Sequence, residues 1–239
     1  EDSNLTYSGL RQAEWEANPR QNPFENDRTD FRNLSASVVH DLVLSPNARL
    51  STAAYGSLFS RDWWRQSSNS NQRPNDASDP ACGGMANLST TCGNEGRLRD
   101  YTTWGVTPRL TLDHVVLGSR SQLHAGVRWH QEKQERVQKN GPLPTSRDGV
   151  VVEENRRDAK AFSAFVDNRF EWGRWSVTPG VRFESVDYDR TNFLANGGSG
   201  VSGTDSLSQL LPGLGVSFRA AARTTVFAGL HRGFAPPRV

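Results

Sequence analysis

The chain has 239 residues, a formal net charge of +2 and a 35% share of hydrophobic residues. No apolar run approaches the ~18 residues of a transmembrane helix, and no basic start followed by an apolar core marks a signal peptide. Both signs of charge are interspersed without a basic block, so nucleic acid is not an expected partner. The chain is either soluble or meets a membrane as alternating strands.

The basic residues are almost all arginines. Lysine occurs only at Lys133, Lys139 and Lys160 among the 28 basic side chains. Arginine presents a planar fork of donors that suits carboxylates and phosphates, whereas lysine is a hydrated point charge. A GC-rich genome would produce the same bias, so both explanations stay open.

In chain order, the first predicted element is a helix of about two turns over 9–17, inside a long polar segment. From there on, apolar and polar residues alternate with the period of two that is typical of strands. The pattern is clearest in RWSVTPGVRFESVDYD, residues 174–189. Residues 50–66 also form a strand, but its faces are mixed and its sidedness stays undefined. The other alternating segments are 33–42, 103–113, 122–130 and 206–220.

Short and long connections alternate along the chain. Short turns are predicted at 44–49, 117–120, 171–174 and 219–223. Long polar connections are predicted at 1–28, 67–99, 139–158 and 192–205. The result is about eight antiparallel strands of roughly 14 to 18 residues, with every tight turn at one end and every long loop at the other.

Strands of this length exceed those of a soluble sandwich, which average about 5 to 6 residues. Outer-membrane barrels have short turns on one side, long loops on the other, and need only ~9 to 11 residues to cross the lipid. The expected fold class is therefore all-β: an antiparallel up-and-down transmembrane β-barrel segment. A secreted β-sandwich that binds carbohydrate through its tryptophans is the alternative from another class.

Trp63 and Trp64 stand directly before the longest polar excursion, and Tyr101 and Trp104 follow it. Rings placed where strands leave and re-enter lipid are typical of an aromatic girdle at the headgroup level. The same tryptophan pair could instead cap the core of a soluble sandwich.

Both cysteines, Cys82 and Cys92, lie inside this excursion and far from any histidine cluster. That placement favours one disulfide in an oxidising compartment over a metal site.

Catalytic and metal-binding arrangements are hard to find. His124 and His130 share a face but stand six residues apart on a strand, ~20 Å at ~3.3 Å per residue, which is too far for one metal site. No glycine-rich phosphate loop, nucleophile elbow or pair of carboxylates occurs in a supporting context. An enzyme is therefore not expected.

Four stretches together resemble the barrel of TonB-dependent outer-membrane receptors, most closely the ferric dicitrate receptor type. They are RDWWRQSSNS, CGNEGRLRDY, WGVTPRL and the final VFAGLHRGFAPPRV. The resemblance implies a location in the bacterial outer membrane and a barrel of about 22 strands around a plug domain. It further implies contact with outer-membrane lipid and transport powered through the TonB complex.

The sequence is expected to depart from that family pattern by lacking the plug and part of the strands. Residues 1–239 are expected to be an internal part of the barrel domain, with the plug domain and the remaining strands absent. The transport function would then belong to the whole receptor.

The ligand that the resemblance implies, ferric dicitrate, is an anionic complex with free carboxylates, which bidentate arginine holds best. Another anionic siderophore is the alternative, because loops vary more than strands. Iron would enter only as part of the chelate, so no resident cofactor is expected. Contacts should lie near the loop end and face the lumen, and the expected ligand-binding residues are Arg65, Arg73, Arg99 and Arg128.

Overall fold

The computed structural model describes residues 2–3, 10, 12–22, 24, 26–66, 94–141 and 145–235. They form one helix, α1 (Gln12–Ala17), one short 3-10 turn (Asn196–Gly198) and nine strands. No helix among them is long and apolar enough to cross a membrane. The strands are β1 (Asp2–Ser3), β2 (Arg28–Ser45), β3 (Ala48–Gln66), β4 (Asn94–Val116), β5 (Ser119–Gly141), β6 (Val150–Trp172), β7 (Trp175–Asn192), β8 (Val201–Ala221) and β9 (Thr224–His231).

All nine strands belong to a single sheet in which every strand pairs antiparallel with the next one in the chain. This order confirms the predicted all-β, up-and-down barrel segment. It also shows that the sandwich alternative is wrong, because a sandwich needs two packed sheets. The helix expected over 9–17 is confirmed as α1.

The predicted alternation of connections is confirmed as well. Two-residue turns at 46–47, 117–118, 173–174 and 222–223 join strands at one end of the sheet. Leu117 and Gly118 both have positive φ, of 50° and 74°, as in the mirror-image turns that match strand twist. The strand ends that the long connections join therefore all lie at the opposite end, called here the loop end: Gln66 and Asn94, Gly141 and Val150, and Asn192 and Val201.

The strands are longer than the sequence pattern predicted. β4, β5 and β6 each have 23 residues, because 94–99, 139–141 and 150–158 continue the ladders and are not loop. Alternation of apolar and polar residues disappears in these segments, since beyond the lipid neither face has to be apolar. Backbone pairing continues there without that signal.

One face of the sheet, the apolar face, has the dimensions of a lipid band. The ring centroids of Trp129 and Phe162 are 6.5 Å apart near its edge toward the loop end, and those of Trp175 and Phe218 are 4.5 Å apart near the short turns. Ten residues separate Phe162 from Trp172, about 33 Å along a strand and about 25 Å vertically at a tilt of about 40°. The opposite, polar face is therefore the face toward the barrel lumen.

Only Trp104 takes the girdle position predicted for four aromatic residues, lying 44% exposed on the apolar face. Tyr101 and Trp63 lie on the polar face, next to Phe59 and two arginines respectively. Trp64 is buried. The prediction failed because the strands continue past the lipid: Trp63 pairs with Arg97, seven residues, or about 23 Å, along β4 from Trp104.

The most deeply buried side chains lie at the loop end and not in the lipid-spanning part. The largest fully buried ones are Phe24, Asp27, Asn94 and Glu95. Trp64 joins them, and an added Cβ on Gly96 would come within 2.7 Å of its ring. We call Phe24, Asp27, Trp64, Arg65, Asn94 and Glu95 the loop-base cluster.

Candidate functional site: an arginine row at the loop end

Three arginines stand side by side on the polar face of β3, β4 and β5. Arg61 is the direct partner of Arg99, and Arg99 is the direct partner of Arg136. Neighbouring partners in an antiparallel sheet have Cα atoms about 4.5–5.5 Å apart. These three residues, the arginine row, lie beyond the lipid, since Arg136 is seven residues, or about 23 Å, past Trp129.

Further arginines extend the positive surface around this row. Arg97 follows on the same face of β4, and Arg157 pairs directly with Arg190 across β6 and β7. Like charges placed directly opposite each other destabilise a sheet. An arrangement that concentrates them is therefore expected to serve a function or to be neutralised by bound anions.

Burial and mutual repulsion act on these guanidinium groups in the same direction. Desolvation, and next the neighbouring charge of Arg99, lower the pKa of Arg61. Desolvation, and then Arg136 and Arg190, lower the pKa of Arg157. An arginine stays protonated despite such a shift, because its ordinary pKa lies far above neutral pH. The row therefore keeps a positive electrostatic potential, and a bound anion would reduce the repulsion between its guanidinium groups.

Two carboxylates neutralise part of this charge. Glu153 Oε1 lies 3.3 Å from Arg136 Nη2, and its charge partly offsets the desolvation that lowers the pKa of Arg136. Glu95 is fully buried and binds Arg65, at 3.2 Å from Nη2, and Arg97 through Nε. The arginines outnumber these acids, so the surface stays positive.

The row opens into a small cavity of about 110 Å³ lined by Arg97, Arg99, Arg136, Val137, Gln138 and Glu153. The Nε atoms of Arg61 and Arg136 are buried and have no hydrogen-bond acceptor among the described residues. Buried donors of this kind are normally satisfied by a partner or a ligand. The cavity has room for one or two carboxylate groups of a larger anion and not for a whole chelate.

Aromatic rings border the row on β3 and β4. Trp63 lies between Arg61 and Arg65, whose guanidinium carbons are 5.6 and 5.0 Å from its ring centroid. Phe59 packs at 5.7 Å from Tyr101 on the neighbouring strand. Stacking on rings fixes guanidinium planes in place and keeps water from them.

The three predicted arginines that the structure describes, Arg65, Arg99 and Arg128, do not form one cluster. Arg99 lies at the centre of the row, between Arg61 and Arg136. Arg65 belongs to the loop-base cluster, with Nε and Nη2 on Glu95. Arg73, Cys82 and Cys92 lie outside the described residues.

Arg128 lies deeper in the wall, eight residues or about 26 Å along β5 from Arg136. Its Nη2 donates to the Tyr55 hydroxyl at 2.8 Å and lies 3.2 Å from His130 Nδ1. His124, which shares the polar face of β5 with His130, has its Nδ1 2.9 Å from Asp167 Oδ1. Within the described residues, no group of three potential metal ligands occurs.

Sequence reasoning missed Arg61, Arg97, Arg136, Arg157 and Arg190. Two of the cross-strand pairings could have been predicted by counting residues outward from the hairpin turns. Arg99 and Arg136 stand equally far, eighteen residues, from the 117–118 turn, and Arg157 and Arg190 equally far, sixteen residues, from the 173–174 turn. The Arg61–Arg99 pairing was not available, since a long connection separates the two strands.

A continuous meander with a lipid-sized apolar band, short turns at one end and a charged site beyond the lipid defines an outer-membrane receptor barrel. Residues 2–239 match the family described as TonB dependent receptor-like, beta-barrel. The chain belongs to this family and is a protein of the bacterial outer membrane. The family comprises receptors and transporters and not enzymes.

Solved structures share the fold at low sequence identity. The ferric citrate transporter FecA in its unliganded form matches 94% of this chain with a TM-score of 0.78 and 18% identity. The ferric-catecholate import receptor Fiu from E. coli K12 matches 93% at 0.64 and 12%. The siderophore receptor PiuA from Acinetobacter baumannii matches 85% at 0.63 and 11%. The chain spans 30%, 36% and 32% of these three proteins.

Proposed function

We propose that this chain is part of the barrel wall of a receptor that binds an anionic ferric chelate, ferric dicitrate in the first instance, for TonB-dependent import. One observation carries the proposal: three arginines in direct register beyond the lipid band, on the face toward the lumen. The chelate is the cargo of this receptor, and its iron has no other role here.

The chemistry of the row suits a polycarboxylate. Each guanidinium can give a forked pair of charge-assisted hydrogen bonds to one carboxylate. Such bonds contribute about 1.5–3 kcal/mol each, or roughly ten- to a hundredfold in affinity. Adjacent arginines about 5 Å apart could hold two carboxylates of one ligand together.

Of the predicted contacts, Arg99 fits this proposal best because it is flanked by an arginine on each side. Arg65 would affect ligand binding indirectly, because it holds the loop-base cluster together through its ion pair with Glu95. Arg128 would touch only a ligand that reaches deep into the lumen, and Arg73 would act from the long loop. The disulfide between Cys82 and Cys92 remains part of the proposal as a link within that loop.

The remaining parts of the receptor belong to the proposal too. Because the chain spans about a third of the solved structures it matches, we propose that a plug domain and further strands complete the protein. The polar face would then line the space that the plug occupies, and TonB would act through the plug.

A different anionic siderophore is the second candidate. The rings of Phe59, Trp63 and Tyr101 beside the row would also suit a ligand with aromatic groups, which FecA's citrate lacks. Two of the matched structures are a siderophore receptor and a ferric-catecholate import receptor.

Uptake of radiolabelled iron tests the import function. Cells that lack their own citrate and catecholate receptors would express the complete receptor, and iron would be supplied as ferric dicitrate or as a ferric catecholate. We expect uptake from dicitrate that stops when TonB is absent. Uptake from the catecholate alone would favour the second candidate over ferric dicitrate. Absence of TonB-dependent uptake from both iron sources would contradict the proposal.

A further inference from the structure

We propose that Glu153 is a built-in counter-ion of the arginine row, which an anionic ligand must displace. On this view Glu153 lowers the affinity of the site and limits the charge of the ligands that it accepts. The inference deepens the proposed function and depends on it for the identity of the ligand.

Two contacts hold Glu153 in position at the edge of the row. Its Oε1 accepts a hydrogen bond from Asn155 Nδ2 at 2.9 Å and lies 3.3 Å from Arg136 Nη2. Asn155 is itself buried, with 4% of its surface exposed. The carboxylate lines the same cavity as Arg99 and Arg97. An acceptor therefore already stands where a ligand carboxylate would bind.

The contact is weak enough to be exchanged. Arg136 meets Glu153 through one nitrogen at 3.3 Å, while its Nε has no acceptor among the described residues. The two side chains keep 19% and 32% of their surface exposed, so water and a ligand can reach them. A single, partly exposed contact is worth much less than a forked one.

Glu95 provides the contrast. Its side chain is 0% exposed, and it binds both Arg65 and Arg97. Removing one partner of a buried pair of this kind is strongly destabilising. Glu95 is therefore structural, whereas Glu153, which is 32% exposed, stays in contact with water when a ligand takes its place on Arg136.

Removing the charge of Glu153 should leave more of the row's positive potential for a ligand. The expected gain in affinity is roughly three- to tenfold, the effect of one partly screened charge at contact distance. The gain should be larger for a more highly charged anion and should shrink as salt rises. A purely structural ion pair would instead give unchanged or weaker binding.

The test is calorimetric titration of the complete receptor with ferric dicitrate and, separately, with iron-free citrate. Glu153→Gln is compared with Glu171→Gln, a matched control that removes the same charge from the polar face at the short-turn end. Glu171 pairs with Arg169 at 2.8 Å there, and both side chains are about half exposed. Glu153→Asp, which keeps the charge but withdraws it from Arg136, is the second variant.

We expect tighter binding of both probes to Glu153→Gln, an intermediate effect of Glu153→Asp, and no change in Glu171→Gln. Ferric dicitrate that binds wild type and Glu153→Gln equally well would overturn the inference about Glu153 alone. If ferric dicitrate did not bind but citrate bound more tightly to Glu153→Gln, only the identity of the ligand would be wrong. Absence of binding of either probe to either protein would overturn both proposals.

Discussion

The indole of Trp64 lies directly against Gly96 on the neighbouring strand, so that a Cβ on Gly96 would come within 2.8 Å of three ring atoms. We expect Gly96→Ala to lower the free energy of unfolding by about 1–3 kcal/mol, the usual effect of overpacking. Urea unfolding of the complete receptor in lipid vesicles would measure the change. Gly203→Ala is the control, because an added Cβ at Gly203 meets nothing within 4 Å. Equal stability of both variants would mean that Trp64 does not pack on β4.

A second prediction concerns the buried pair of the loop base. Arg65→Ala leaves Glu95, which is 0% exposed, with one cationic partner fewer, and breaking a buried pair costs about 3–5 kcal/mol. The double variant Arg65→Ala with Glu95→Gln should regain part of that loss. Thermal unfolding followed by circular dichroism would compare the three proteins. If Arg65→Ala lost ligand affinity while keeping wild-type stability, Arg65 would be a ligand contact and not a structural residue.

Topology and strand order were predictable because eight segments agreed on one rule about turns, although each segment was a weak signal. Strand ends were not predictable, since ladders such as Leu98 with Val137 continue where no lipid imposes an apolar face. The girdle prediction failed at Trp63 for the same reason. Within the site, Arg99 was predictable from alternation and position, but its neighbours Arg61 and Arg136 required the cross-strand register.

A third prediction tests the apolar face. Leu110 lies on it within the lipid band, and Thr102 lies on the same face past Trp104. An arginine near the bilayer midplane costs about 2–4 kcal/mol, whereas one near the interface costs about 0–1 kcal/mol. Leu110→Arg should therefore destabilise the folded receptor in vesicles far more than Thr102→Arg does. Similar losses for the two variants would contradict the assignment of this face to lipid.

A fourth prediction locates the ligand along the lumen. Arg128 is held by two contacts to the Tyr55 hydroxyl, at 2.8 and 3.1 Å, so it keeps its place when no ligand is present. A ligand that reaches this depth should lose about ten- to a hundredfold in affinity in Arg128→Ala, and Arg128→Lys should restore only part of it. The readout is the dissociation constant for ferric dicitrate. A loss in Arg99→Ala without a loss in Arg128→Ala would confine the ligand to the row.

The affinity of ferric dicitrate for row variants of the complete receptor tests the central claim most directly. Arg99→Ala and Arg136→Ala should each weaken binding by about ten- to a hundredfold, since each removes a forked contact to a carboxylate. Arg120→Ala, on the same strand as Arg136 but next to the 117–118 turn, should bind like wild type. Isothermal titration of the four proteins at one fixed salt concentration would give the dissociation constants. Losses confined to the two row variants are the predicted result, and wild-type affinity in both of them would contradict the account.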